Sequence, residues 1–118
     1  RDVADAMVAD SGVEITELRV DGGMTMNELL MQFQADILGV EVHRPKNIET
    51  TATGAAFAAG LDHGFWEDLS VLGSQAGDMK VYKPKREEEE VEALYRDWKR
   101  AIKRSLEWED NEDEDLSF

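Results

Sequence analysis

The run Leu18-Arg19-Val20-Asp21-Gly22-Gly23, followed four residues later by Asn27, constrains this chain more than any other feature, because an apolar strand stops at two glycines and a helix begins. Lacking Cβ atoms, Gly22 and Gly23 are free to take positive φ and to let a ligand reach the backbone, and the following helix offers unpaired N–H groups at its start. Two readings stay open at this point: a plain turn between strand and helix, or a nucleotide site in which glycine backbone meets the ligand.

The surrounding pattern alternates helix and strand. Val3, Ala4, Met7 and Val8 share one face of a first helix that Gly12 ends, and Ile15 to Val20 reads as a strand. After the glycines, Met26, Leu30, Phe33 and Ile37 recur at helical spacing until Gly39. Val40 to His43 forms a short strand closed by Pro45, which completes a strand–helix–strand unit of α/β type. Thr50 or Thr51 is expected to cap the next helix, whose run Ala52, Gly54, Ala55, Ala56, Ala58, Ala59 and Gly60 lets a neighbour approach closely. Gly64 breaks it, and Phe65 and Trp66 are expected as apolar anchors. Leu69, Val71 and Leu72 predict a short helix, and Met79 to Tyr82 a strand. Pro84 then leads into a long helix with Val91, Leu94, Tyr95, Trp98, Ile102 and Leu106 on one stripe. The run Glu87 to Glu90 falls in its opening turn, where carboxylates interact favourably with the positive end of the helix.

A length of 118 residues allows one modest core, hence a single domain at most. With 27 acidic against 13 basic residues the net charge is −14, which argues against nucleic acid or an anionic membrane as partner. Seven of the nine residues from Glu107 to Asp115 are acidic, so half of that charge lies in the tail, which is expected to be disordered. Excess surface carboxylate would also suit a high-salt environment, where cations screen the self-repulsion. The sequence contains no cysteine, which excludes disulfides, thiol catalysis and thiolate metal sites. No apolar stretch approaches a membrane span and the first residues do not form a signal peptide, so a soluble, cytoplasmic protein is expected.

Candidate catalysts are few. His63 precedes a helix-ending glycine and His43 lies at a strand end beside Arg44, so both read as structural or surface residues. The serines sit in no GxSxG elbow, and no phosphate loop ending in Gly-Lys-Ser/Thr is present.

Several segments together carry a family likeness. Ala9-Asp10-Ser11-Gly12, Leu18 to Gly23, Asn27, Leu30 to Phe33, Asp36 to Gly39, Arg44-Pro45, Thr51-Ala52, Gly54 to Ala56, Gly64-Phe65-Trp66 and the Trp98, Lys103-Arg104, Trp108 pattern resemble the C-terminal domain of glycerol kinases, a branch of the FGGY carbohydrate kinases. The resemblance implies an α/β fold, the C-terminal part of an actin-like, ribonuclease H-like ATPase domain with a partial mixed sheet and flanking helices. It assigns residues 1–108 to that nucleotide-binding domain and 109–118 to the acidic tail. Because the family's enzymes are several times longer, the chain is expected to be a fragment, inactive alone, whose catalytic aspartate and glycerol-gripping residues lie in preceding segments.

Carried over residue by residue, the likeness makes Gly23 and Asn27 contacts for ADP or ATP, with Gly22 shaping the same turn and Asp21 beside it. A glycine at 23 leaves the backbone open to the nucleotide, and the Asn27 carboxamide both donates and accepts hydrogen bonds, as adenine and ribose recognition require. The implied cofactors are ATP and magnesium, the substrate glycerol, and the full-length enzyme a homo-oligomer. The chain departs from the common pattern at Met24-Thr25-Met26, where smaller residues are usual, and at Glu28, where a second amide can occur. A related sugar kinase and a non-catalytic acidic association module are the alternatives.

Overall fold

Helix α1, Asp2–Ser11, ends at Gly12 and helix α2, Glu28–Leu38, at Gly39; both glycines are left-handed and return their N–H to the preceding turn. These are the ends that the glycines predict. The computed structural model describes residues 1–70 and 78–106. Its further elements are strand β1 Glu17–Arg19, a 3-10 turn Gly23–Met26, strand β2 Glu41–Pro45, helix α3 Thr50–Asp62, strand β3 Met79–Tyr82 and helix α4 Glu88–Ser105. The chain divides into two units, Arg1–Lys85 and Arg86–Phe118.

In the first unit the three strands form one mixed sheet in the order β1, β2, β3. β1 and β2 run parallel, with Leu18 opposite Val42, as the strand–helix–strand pattern requires. β3 runs antiparallel to β2, with Tyr82 opposite Val42 and Lys80 opposite Arg44. Side chains alternate across a strand, so Leu18, Val42, Arg44, Lys80 and Tyr82 share one face. Helix α2 covers that face: Met31, Ala35, Val42 and Tyr82 form the buried core, with Leu18, Val20 and Leu30 packed against it.

The sheet's other face carries Arg19, His43, Pro45 and Met79, and a cavity of about 440 Å³ lies between these residues and Thr50, Thr53, Gly54 and Phe57 of α3. No residue of α3 is buried. At its far end Trp66 meets Phe57 and Phe65 edge to face, with ring centroids 5.2 and 4.9 Å apart. A Cβ on Gly60 would run into the Trp66 ring, so the close approach expected of this small-residue helix is realised there, by Trp66 itself. Phe65 is exposed, its ring meeting Trp66 edge to face.

Several elements differ from their sequence expectations. Regular β1 spans three residues because only Glu17–Arg19 complete the ladder, although the Val20 N–H still reaches the His43 carbonyl at 3.0 Å. Pro45, expected just beyond β2, is its last residue, where the missing N–H interrupts no further pairing. Of the residues that recur at helical spacing, Leu30 and Ile37 are half-buried and Phe33 is exposed, while Met26 falls in the 3-10 turn; the fully buried apolar residues of α2 are Met31 and Ala35. Neither Thr50 nor Thr51 caps α3. Glu49 occupies the cap position without a side-chain bond, and the Thr53 hydroxyl donates back to the Glu49 carbonyl at 2.9 Å.

In the second unit, α4 begins with Glu88, Glu89 and Glu90 in its first turn and ends with Lys103 and Arg104 in its last, both favourable to the helix dipole. Arg86 pairs with Glu90 and Arg100 with Asp97. Val91, Leu94 and Tyr95 are half-buried while Trp98 and Ile102 are exposed, and Leu106 lies one residue past the helix. The short helix expected at Leu69, Val71 and Leu72 falls mainly on residues 71–77, and the acidic tail on 107–118, outside the described residues.

Candidate functional site

The turn after β1 forms from a demand of the backbone. Gly22 adopts φ 86° and ψ 167°, a region open essentially to glycine alone, which swings the chain out of the strand and into the 3-10 turn. Gly23 does not share this conformation; among the described residues the positive-φ glycines are Gly12, Gly22, Gly39 and Gly64. The expectation that both glycines serve the turn by positive φ therefore holds for Gly22 only. A Cβ on Gly23 would meet no atom within 4 Å, so neither strain nor crowding calls for a glycine there.

Bonds within the turn and to its neighbours hold it in place. The Gly22 N–H donates to the Ile48 carbonyl at 3.1 Å. The Thr50 hydroxyl donates to the Asp21 carboxylate, joining the end of β1 to the first turn of α3. Buried Thr25 donates through both its N–H, at 3.1 Å, and its hydroxyl, at 2.6 Å, to the Gly22 carbonyl. Flanking Met24 and Met26 are exposed, so the one member of the Met24-Thr25-Met26 departure that packs is the threonine.

Asn27 closes the turn and opens α2. Its side-chain oxygen accepts the Leu30 N–H at 3.0 Å, a helix cap worth about 1 kcal/mol. The amide's two N–H donors have no part in that cap. Gly23 and Asn27 are exposed and Gly22 is half-buried, so the turn presents its backbone and the Asn27 amide at the surface. Asp21 belongs to the 440 Å³ cavity on the far side of the sheet, which Gly22, Gly23 and Asn27 do not line.

Glu28 gathers a charged cluster that sequence reading passes over. Its carboxylate accepts from Arg44 at 3.2 Å, from the Tyr82 hydroxyl at 2.9 Å and from the Lys80 ammonium. The hydrogen bond from Lys80, then that from Tyr82, holds the Glu28 carboxyl below its ordinary value of 4.5, and the same bond raises Lys80. Burial, then the bond to Glu28, raises the Tyr82 hydroxyl. A carboxylate whose folded value is depressed contributes stability that is complete above 4.5 and is lost as pH falls through the lower folded value. Acidification from about pH 6 to about pH 3 is thus expected to lower the melting temperature of the parent protein more than that of Glu28→Gln. Equal losses in the two would show that the cluster carries no such linkage. The signal for it lay in the alternation of β2, which puts Arg44 on the same face as core residue Val42.

Other polar groups serve structure. Asp36, buried in α2, accepts from Gln32 at 2.9 Å and from the Lys85 N–H at 2.7 Å, fixing the segment that follows β3. His43 lies 3.0 Å from Glu41, whose carboxyl is lowered chiefly by its bond to Lys83, and His63 is exposed at the end of α3. Among the described residues no three of His, Asp or Glu converge to hold a metal ion. No described helix is long and apolar enough to cross a membrane.

Comparison with known proteins decides the family. The C-terminal domain model of the FGGY family of carbohydrate kinases matches residues 1–62, more than half of the chain. The chain belongs to this family. Among FGGY relatives, the glycerol kinase of Corynebacterium kroppenstedtii is 60% identical over 114 residues, covering 97% of this chain and 22% of that protein. The glycerol kinase of Alkaliphilus oremlandii is 52% identical over 116 residues, covering 98% of this chain and 23% of its own length. This chain thus spans under a quarter of these curated relatives.

Among solved structures, the FGGY chain resembles Plasmodium falciparum glycerol kinase with ADP at a TM-score of 0.73 and 33% identity, over 88% of this chain and 21% of that one. It resembles ligand-bound xylulose kinase from Lactobacillus acidophilus at a TM-score of 0.62 and 24% identity, over 86% and 22%, a likeness of fold alone. The mixed sheet with its flanking helices is part of the actin-like, ribonuclease H-like fold of these kinases.

Proposed function

We propose that this chain is the nucleotide-binding C-terminal portion of a glycerol kinase, which transfers the γ-phosphoryl group of ATP to glycerol and yields sn-glycerol 3-phosphate and ADP. The observation that carries the nucleotide assignment is Gly23, a surface glycine that neither backbone strain nor packing requires, set between strained Gly22 and the Asn27 cap. A nucleotide approaching the backbone there supplies the missing reason for it. The Asn27 amide faces the same ligand with its N–H donors while its oxygen holds the helix. An ADP-bound glycerol kinase sharing this fold supports the same reading.

Phosphoryl transfer proceeds by positioning and charge neutralisation, with a carboxylate to accept the proton of the attacking hydroxyl. The residues of this turn position the nucleoside end. The base, the glycerol contacts and the magnesium that accompanies ATP belong, on this reading, to other segments of the full-length enzyme, which acts in the cytoplasm as a homo-oligomer.

Identity of 51–60% to curated glycerol kinases, and among solved structures 33% to a glycerol kinase against 24% to a xylulose kinase, favours glycerol over a related sugar. In the full-length kinase, kcat/KM for glycerol is expected to exceed that for D-xylulose at least about 1,000-fold, beyond the roughly 10–200-fold that a single small group in a pocket discriminates. Preference for the sugar would overturn the substrate assignment.

A further inference from the structure

We infer that Arg44 is a positioning residue for nucleotide binding, holding the Gly22–Asn27 turn in its receptive shape through the carbonyl of Thr25. The inference rests on the nucleotide reading of that turn and adds the residue that keeps it in place. Arg44 lies on β2, remote in sequence from the turn, yet its Nη1 donates to the Thr25 carbonyl at 2.6 Å and its Nη2 to the Glu28 carboxylate at 3.2 Å. Its guanidinium also sits 5.7 Å from the Tyr82 ring centroid, and its side chain is only 11% exposed.

One planar cation thus grips both flanks of Asn27 while stacked on the core. Thr25 passes the hold onward, because its hydroxyl and N–H both donate to the Gly22 carbonyl. Movement at Thr25 would therefore shift Gly22 on one side and Asn27 on the other. Glu28 and Tyr82 touch the guanidinium, whereas Lys80 pairs with the other oxygen of Glu28, and none of the three bonds the Thr25 carbonyl. A lysine ammonium is a point charge without the fork, so it cannot hold that carbonyl and the Glu28 carboxylate while stacking on Tyr82.

The test compares steady-state kinetics and melting temperatures of the full-length kinase carrying Arg44→Lys, Lys80→Met or Gly23→Ala. Arg44→Lys is expected to raise the KM for ATP about tenfold, leaving kcat and the KM for glycerol within about twofold, the pattern of lost nucleotide binding. Lys80→Met, which removes a Glu28 partner and spares the Thr25 contact, is expected to leave all three within about twofold. An ATP KM unchanged in Arg44→Lys but raised in Gly23→Ala would overturn the role of Arg44 and leave the nucleotide site standing. If neither variant moves the ATP KM, the nucleotide reading itself fails. A fall in kcat and a rise in both KM values, shared by Arg44→Lys and Lys80→Met, would mark the cluster as general support and overturn the proposal. If Arg44→Lys does not fold, Arg44→Gln, which retains N–H donors without the charge, is read by the same criteria.

Discussion

Gly23→Ala is expected to raise the KM for ATP of the full-length kinase about tenfold or more, equivalent to about 1.4 kcal/mol of binding, with no loss of melting temperature. The substitution is free for the fold: position 23 lacks positive φ, and a Cβ there would meet nothing within 4 Å. Whatever the methyl group obstructs is none of the described residues of this chain. Gly22→Ala supplies the contrast, since its φ of 86° and ψ of 167° would place alanine in a region costing about 1–3 kcal/mol. That variant is expected to melt a few degrees lower whether or not nucleotide is present. Calorimetric unfolding beside ATP kinetics separates the two glycines; a Gly23→Ala enzyme with native ATP affinity would remove the ligand explanation for that residue.

The second large effect concerns Asn27, whose single carboxamide caps α2 and, on the proposed function, also meets the nucleotide. Its oxygen caps α2 by accepting the Leu30 N–H, and its N–H donors are assigned to the nucleotide. Aspartate retains the oxygen and is an equally good cap, but it lacks the donors and brings a negative charge toward a polyanionic ligand. Asn27→Asp is expected to raise the ATP KM tenfold or more, with melting temperature unchanged. Asn27→Ala loses both roles and is expected to weaken ATP binding while destabilising the protein by about 1 kcal/mol. Should Asn27→Asp bind ATP as the parent does while Asn27→Ala merely melts earlier, the residue is a cap and nothing more.

How far the sequence could be read depended on whether a feature is local. Gly12 and Gly39 announce helix ends because left-handed backbone is a property of the residue itself, and the alternation around Val42 announces a strand for the same reason. The parallel pairing of β1 with β2 followed from the intervening helix. Which residues of α2 are fully buried was not legible in its periodicity, because the sheet it packs on decides that: Met31 and Ala35 face Val42 and Tyr82, while Leu30 is half-buried beside them and Phe33 is exposed. Thr50 was misassigned as a cap because its hydroxyl found Asp21, 29 residues away.

Long-range pairing also hid the cluster around Glu28. Lys80 and Tyr82 reach Glu28 across more than 50 residues, and only the antiparallel register of β3 on β2 brings them beside Arg44. In the turn itself, Gly22, Gly23 and Asn27 were legible as a group through family likeness, but their separate duties were not. Backbone φ divides the glycines, and the Leu30 contact reveals that Asn27 spends its oxygen on the helix.

Hydrogen–deuterium exchange of the full-length kinase with and without ADP, read on peptides spanning residues 20–30, tests nucleotide binding at this turn most directly. ADP is expected to slow exchange at the amides from Gly22 to Asn27 and to leave α4 unchanged. Unaltered exchange across those residues at saturating ADP would contradict the assignment.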